Sequence, residues 1–407
     1  MRQFMFKFDV NAFTMDILYE AECSCRTPLP LYASNPNKGI IVPIPLYQLH
    51  HTIPDCNLIL NGEYVQNALD ALHEKLCAPH KWNSRQITAM QLTLLWLSRA
   101  TGMLPNQLLV RNGVENIQPV PVAGGSFADV HLAKYQGESV ALKRVRIFQT
   151  FSEQQKTRRC RSLYREAMIW RQLDHPHILP LYGIDLWSFE PAPCLVLPWI
   201  EYGNIHKTIA SFGTESMMIY FMPWIFEVAV GMDYLHSQGI VHGDLRGPNI
   251  LIDNEFHVRL SDFGLASVTE DGNMSTLSSH TWNARWAAPE LLEPEDEVTF
   301  RWPDYCSDIF SFGCLCIEIF TQDAPYQHIS SDVRVVTAVL RGDRPRRPEN
   351  GAMPLELWNL AQKCWVHNPH DRPRIGFVIE ELERILSKEW EVAWRYTAQS
   401  FLKCKTY

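Results

Sequence analysis

The sequence predicts an α+β fold, a small sheet lobe followed by a larger helical lobe. The order of its elements is the main observation. Strand-like runs split by Gly-containing turns crowd residues 118–200, and helical periodicity takes over from about 205 to 387. Composition agrees: 407 residues, 46% apolar and 20% charged, suffice for one large bilobal domain with extensions.

Residues 1–80 carry no recognisable pattern. Pro is dense from 28 to 54 around short β-like runs such as "GIIVPIPLY", so irregular or partly disordered structure is expected there. Residues 81–117 read as a helical lead-in. In "SRQITAMQLTLLWLSRATG", Ile87, Met90, Leu94, Leu95 and Leu97 form an apolar stripe at helical spacing, with Ser84 the expected N-cap and Gly102 the stop. A turn or short helix, "NQLLVRNGV", follows. Next, "PVPVAGGSFADVHLAKYQGESVALKRV" gives strands broken at Gly124-Gly125 and at "YQGES", and "RSLYREAMIWRQL" gives a helix. The basic run "KTRRCR" (156–161) is expected in the loop before that helix, as a solvated face. Strands return at "ILPLYGIDL" and "CLVLPWI". The division expected is 1–80 uncharacterised, 81–117 lead-in, 118–387 main domain with lobes 118–200 and 201–387, and 388–407 tail.

The longest apolar run, "MMIYFMPWIF" (217–226), meets Glu227 too soon to span a bilayer and is expected to be a buried core helix. The N-terminus, interrupted by Lys7, Asp9 and Asp16, lacks a secretory apolar core. A net charge of −8 argues against non-specific binding to nucleic acid or anionic membrane. The eleven Cys show no zinc-type spacing, so reduced thiols in a cytoplasmic protein are expected, with a nuclear location also open.

A Gly-rich turn such as "VAGGSFADV" is by itself a weak signal, since any tight hairpin could carry it. Order and spacing strengthen it. "VALK" ends in Lys143, Glu166 sits on the next helix, "HGDLRGPNIL" carries Asp244 and Asn249, "DFG" stands at 262–264 and "APE" at 288–290, followed by Asp308 and Arg372. In this order the pieces resemble the eukaryotic protein kinase signature set across 118–387. More narrowly, "RWAAPELL", "SDIFSFGCLCIEIF" and "DRPRI" resemble the tyrosine-kinase-like group, in a version abundant in mushroom-forming fungi.

The resemblance implies a bilobal kinase fold, a protein substrate, and ATP with Mg²⁺ as cofactors. Lys143 would hold the nucleotide phosphates and Glu166 would hold Lys143. Asn249 and Asp262 would bind Mg²⁺, and Asp244 would align the substrate hydroxyl, with Arg246 beside it toward the γ-phosphate. The Gly-rich loop maps to Ala123, Gly124, Gly125, Ser126, Phe127 and Ala128. Val130, Ala141, Leu197 as gatekeeper, Pro198 and Ile200 at the hinge, and Leu251 complete the nucleotide set. Pro198 costs no adenine contact, because the N–H it lacks is not used. Glu290 with Arg372 is the expected buried ion pair, and Asp308 the brace of the catalytic loop. Trp170, Leu181, His242 and Phe263 would stack as an apolar column.

The chain departs from the pattern at several points. Ala123 and Ala128 replace the outer glycines, Gly243 stands where an Arg grips an activation-loop phosphate, Arg246 replaces a Lys, and Asn283 stands near a supporting Thr. Gly243 therefore predicts a kinase that needs no loop phosphate, Arg246 favours Ser/Thr over Tyr while "ARWAAPE" keeps dual or tyrosine specificity open, and Ser267, Thr269, Ser275, Thr276, Ser278, Ser279 and Thr281 are read as solvated loop residues. The same departures keep open a pseudokinase that binds nucleotide without transfer. An adaptor whose working part is 1–117 is a further alternative.

Overall fold

The computed structural model describes residues 30–34, 41–45, 62–78, 82–124, 128–148, 150–263, 283–293, 303–349 and 351–388. The chain divides into two compact units: the first runs to Leu173 and includes Leu181–Leu197, and the second takes Asp174–Pro180 and everything from Pro198. Strands β1 (Pro30–Ser34) and β2 (Ile41–Pro45) pair antiparallel, with Tyr32 opposite Pro43.

The first unit is built on a sheet with strand order β3-β5-β6-β8-β7, and β4 pairs with β5 off this path. Its strands are β3 (Val114–Glu115), β4 (Ala123–Gly124), β5 (Ala128–Tyr135), β6 (Glu138–Val145), β7 (Gly183–Asp185) and β8 (Cys194–Pro198). β5 and β6 form a long antiparallel pair joined at the tight turn Gln136-Gly137, where both residues take positive φ as a two-residue hairpin requires. Alternation along β5 and β6 sends Ala133, Val140 and Leu142 into a core shared with Val110, Cys194 and Val196.

Among the described residues, two α-helices precede the sheet. α1 (Gly62–Leu76) lies in the stretch expected to be irregular, and buries Val65, Ala68, Leu69, Leu72 and Leu76. The irregular expectation therefore fails for 62–76: the apolar i, i+3/i+4 spacing is helical, but lies beyond the Pro-dense segment that set the expectation. α2 (Ser84–Thr101) packs on α1. Its cap is Asn83 and not Ser84: the Asn83 side chain accepts from Gln86 N–H while the Gln86 side chain accepts from Asn83 N–H, a reciprocal box that starts the helix one residue earlier. Gly102 closes it in the left-handed region, φ 71°, as expected. Met90, Leu94 and Leu97 are buried.

α3 (Glu153–Trp170) also begins earlier than expected, so "KTRRCR" is helical and not loop. The reason is a second reciprocal box: Ser152 and Gln155 bond side chain to backbone in both directions.

On α1, His73 is 1% exposed, and its pKa falls from 6.5 to about 4, through burial and then the nearby Arg171 charge, with Asp70 opposing. Above pH 6.5 both folded and unfolded chains hold it neutral. As pH drops toward 4, the unfolded chain takes a proton that the folded one refuses, so stability declines by roughly 2–3 kcal/mol and levels off below that. Denaturation of His73→Gln should show a shallower loss between pH 6.5 and 4.

The second unit is helical: α4 (Ile205–Phe212), α5 (Thr214–Ser237), α6 (Pro289–Leu292), α7 (Tyr305–Thr321), α8 (Asp332–Arg341), α9 (Leu355–Cys364) and α10 (375–388), with a short hairpin of β9 (Ile250–Ile252) and β10 (Val258–Leu260). α5 is apolar and long enough to cross a membrane by length and composition. It instead supplies core: Phe221, Trp224, Ile225, Val228, Met232 and Leu235 are buried, and Trp224 Nε1 donates to Phe256 O at 2.7 Å. α7 is buried along most of its length, and packs on α9 where Gly313 leaves room for Ala361 O and Cys364.

Candidate active site

The loop between α5 and β9 carries "HGDLRGPN", and its shape is set from α7. Asp308, 1% exposed, accepts from His242 N–H and Gly243 N–H, each at 2.8 Å, and lies 2.9 Å from His236 Nε2. The expected brace is thus two backbone hydrogen bonds to one carboxylate. Gly243 sits at φ 76°, a conformation that costs an L side chain roughly 1–2 kcal/mol and glycine nothing.

Asp244 is held from several sides. Its Oδ1 accepts from Asn283 Nδ2 at 2.6 Å, and its Oδ2 from Asn249 Nδ2 at 2.9 Å and Arg246 Nε at 3.2 Å. Asn249 Nδ2 also donates to Asp244 O at 2.7 Å. Both amide hydrogens of Asn249 are therefore committed to Asp244, which turns its oxygen away from these bonds, and an amide oxygen is the kind of hard donor that Mg²⁺ prefers. Asn283, a departure from the family pattern, thus still supports Asp244. Replacing it with Leu removes a short bond to a charged acceptor, about 1.5–3 kcal/mol. Phosphotransfer by Asn283→Leu should fall ~10- to 100-fold in kcat while Asn283→Thr keeps most of it, measured in single-turnover assays.

His242 is buried, and burial lowers its pKa although Asp308, Asp244 and Asp262 pull the other way. Its Nδ1 accepts from Asp244 N–H at 3.4 Å and its ring meets Phe263 edge-on at 6.0 Å, the packed position expected of it. Asp262 follows Ser261, whose N–H and Oγ–H both donate to Asn249 O at 3.0 Å. At φ 57° Asp262 takes the left-handed region, which Asp tolerates better than most residues.

Three residues that sequence reasoning did not single out complete this side. Glu318, 2% exposed on α7, accepts from Gly247 N–H at 2.9 Å and Trp286 Nε1–H at 2.8 Å, and its Oε1 lies 2.8 Å from His206 Nε2. Burial pushes the His206 pKa down, but its bond to Glu318 and that residue's charge outweigh it and leave the pKa raised. Arg246 lies over the Trp286 ring, 5.9 Å from its centroid. Tertiary pairing of this kind leaves no local spacing to read; only the Trp in "ARWAAPE" hinted at it. Nearby, Arg372 and Glu290 form the expected buried ion pair at 2.6 and 2.7 Å. Leu251 lies on β9, opposite Arg259.

In the first unit, Lys143 Nζ stands 3.9 Å from Glu166 Oε1, both side chains mostly buried. Lys143 lies on β6 opposite Val130 of β5, and Ala141 lies opposite Leu132. β4 and β5 form the arms of the Gly-rich turn, with Ala123 opposite Val130 and Gly124 opposite Asp129. Gly125, Ser126 and Phe127 lie outside the described residues, while Ala128 opens β5. Asp129 binds Arg146 and Arg144, at 2.6 and 3.0 Å, and chiefly the Arg146 bond lowers its carboxyl pKa. Leu197 and Pro198 end β8, with Leu197 buried, and Ile200 O closes a turn by accepting from Gly203 N–H. Trp170 and Leu181 are buried in this unit, as the column would require of them. The Ser/Thr positions between 267 and 281 lie outside the described residues.

Residues 120–382 match the protein tyrosine and serine/threonine kinase family. The chain belongs to that protein kinase family. Its curated relatives include the serine/threonine-protein kinase STY46 of Arabidopsis thaliana, 28% identical over 66% of this chain and 44% of the relative. The dual specificity protein kinase pyk3 of Dictyostelium discoideum is 30% identical over 66% of this chain and 18% of the relative. The serine/threonine/tyrosine-protein kinase HT1 of Arabidopsis thaliana is 28% identical over 64% of each chain. The kinase chain thus spans less than half the length of the first two relatives.

Proposed function

We propose that this protein is a Ser/Thr kinase of the tyrosine-kinase-like group that transfers the γ-phosphoryl of Mg-ATP to protein hydroxyls and works without activation-loop phosphate. The observation that carries it is the fixed Asp244 carboxylate, held by Asn283, Asn249 and Arg246. Phosphoryl transfer demands positioning above all, and a carboxylate fixed by three donors is already oriented for a substrate hydroxyl. Lys143, paired to Glu166, takes the nucleotide phosphates. Asn249 and Asp262 supply the oxygen ligands for Mg²⁺, which neutralises phosphate charge when bound. The kinase resemblance assigns Val130, Ala141, Leu197 and Leu251 to the adenine, with backbone contacts at Pro198 and Ile200. Arg246, two residues after Asp244, favours Ser/Thr over Tyr.

Independence of loop phosphate rests on Gly243, which has no side chain to answer it and whose N–H is committed to Asp308. A second reading, a nucleotide-binding scaffold without transfer, is favoured by Ala123 and Ala128, which stand on the two arms of the Gly-rich turn where the family has glycines. The full chain, treated with phosphatase, should phosphorylate a generic basic protein at an undiminished rate, and Lys143→Met should not. Nucleotide binding without transfer in the wild type supports the scaffold; activity lost on phosphatase treatment removes the Gly243 argument. A cytoplasmic location belongs to the same proposal.

A further inference from the structure

The lead-in helices lie outside the family match, which begins at residue 120. They are nevertheless in the same compact unit as Lys143 and Glu166. The second of them, α2, touches α3, the helix that carries Glu166.

Ala167, Met168, Ile169 and Trp170 are all at most 6% exposed. Successive helical residues point 100° apart, so four in a row leave the last turn with no solvent side. A helix lying on a sheet would show one buried face only. α2 packs against α3, as do β6 and β7.

The contact is polar at its centre. Gln91 of α2, 9% exposed, donates through Nε2 to Gln172 Oε1 at 3.2 Å, and Gln172 Nε2 donates to Met168 O at 2.7 Å. Met168 O is one of the last carbonyls of α3, which have no partner inside the helix. Its neighbours are satisfied by backbone: Ala167 O by Arg171 N–H, Ile169 O by Gln172 N–H, and Trp170 O by Leu173 N–H. Met168 O depends on the Gln172 amide, and the Gln172 amide is oriented by Gln91.

We infer that the lead-in is a built-in positioning element for the phosphate-binding pair, with Gln91 acting through Gln172 to fix the last turn of α3. Glu166 sits one turn before Trp170, and its 3.9 Å distance to Lys143 is long for an ion pair. A small displacement of the helix would break that pair, so the grip decides whether Lys143 is ready for a nucleotide. The inference rests on the nucleotide-binding reading of Lys143 for its functional meaning. It concerns residues that the kinase family match does not include.

The test uses the full chain with Gln91→Met, which keeps size and removes the bond, and with Leu94→Ala one turn along the same buried stripe. Two quantities are read: the dissociation constant for Mg-ADP by calorimetry, and amide hydrogen exchange over 163–170 in the nucleotide-free protein. Losing one buried hydrogen bond should weaken Mg-ADP binding ~5-fold and speed exchange over 163–170, with kcat at saturating ATP little changed. Faster exchange with unchanged affinity makes Gln91 merely structural and overturns the inference. Unchanged exchange and affinity in both folded variants also overturn it. A wild-type chain that binds no nucleotide overturns the reading of Lys143 instead; faster exchange then still supports the grip of α2 on α3, and unchanged exchange refutes it.

Discussion

Asp244→Asn is expected to lower phosphotransfer at least ~10³-fold while Mg-ATP binding stays within about twofold of wild type. The change is nearly isosteric, so the loss comes from chemistry and orientation and not from a hole. Asp244 accepts on both oxygens: Oδ1 from Asn283, and Oδ2 from Asn249 and Arg246. An Asn side chain has one oxygen and one NH₂ group. In one orientation its NH₂ faces Asn283 Nδ2, and in the other it faces Asn249 Nδ2 and Arg246 Nε. Either way donor meets donor, the side chain leaves its place, and the charge that would attract the substrate proton is gone. Rapid-quench phosphotransfer and nucleotide titration on the same preparation check this. A variant retaining a tenth of wild-type kcat would show that Asp244 is not the aligning group.

Arg372→Leu is the second large effect, on stability. The Arg372 guanidinium donates from Nε to Val366 O, from Nη1 to Glu290 Oε1 and Cys306 O, and from Nη2 to Glu290 Oε2 and His367 O. Those bonds employ all five N–H donors a guanidinium has. Its side chain is 0% exposed and that of Glu290 is 9% exposed. Removing the cation leaves a buried carboxylate without its partner and three partly buried carbonyls without that donor, a loss of about 3–5 kcal/mol. For a helical unit of this size the unfolding midpoint should drop by roughly 10 °C. Arg372→Lys should recover little, because an ammonium cannot reproduce the planar fork. The double variant Arg372→Met/Glu290→Gln should be more stable than Arg372→Leu, since no uncompensated charge stays buried. Thermal and urea denaturation of the full-length variants check both statements.

How much of this was legible beforehand differs by residue. The ordered signatures placed Lys143, Glu166, Asp244, Asn249 and Asp262 without any structure, because chemistry fixes residue type and chain order fixes spacing. The Asp308 brace and the Glu290–Arg372 pair followed from the same resemblance, whereas Asn283 was a departure from it whose bond to Asp244 only the structure shows. Helix starts were missed where the cap was reciprocal: Asn83 with Gln86, and Ser152 with Gln155. Glu318 was nearly hidden in the sequence, because Gly247, Trp286 and His206 reach it from separate parts of the chain. The helix α1 was hidden by the Pro-dense stretch before it, and the role of Gln91 by the distance in sequence to Gln172.

The lead-in has a last consequence at the margins of the first unit's sheet. β3 lies at one end of the strand order, paired to β5 through Val114 and Glu115. At the other end, Leu109 bridges to Ile184 of β7, Val110 N–H donates to Ile184 O at 2.8 Å, and a side chain on Gly183 would collide with Leu108 O. One short stretch of chain, Leu108 to Glu115, thus shields both borders of the sheet. A protein trimmed to the family match would lose it, baring unpaired N–H and C=O groups at both borders and the apolar surface under Val110, Val114 and Ile117. Such a fragment is expected to self-associate strand to strand, and its insolubility would reflect uncovered borders and not a defective kinase.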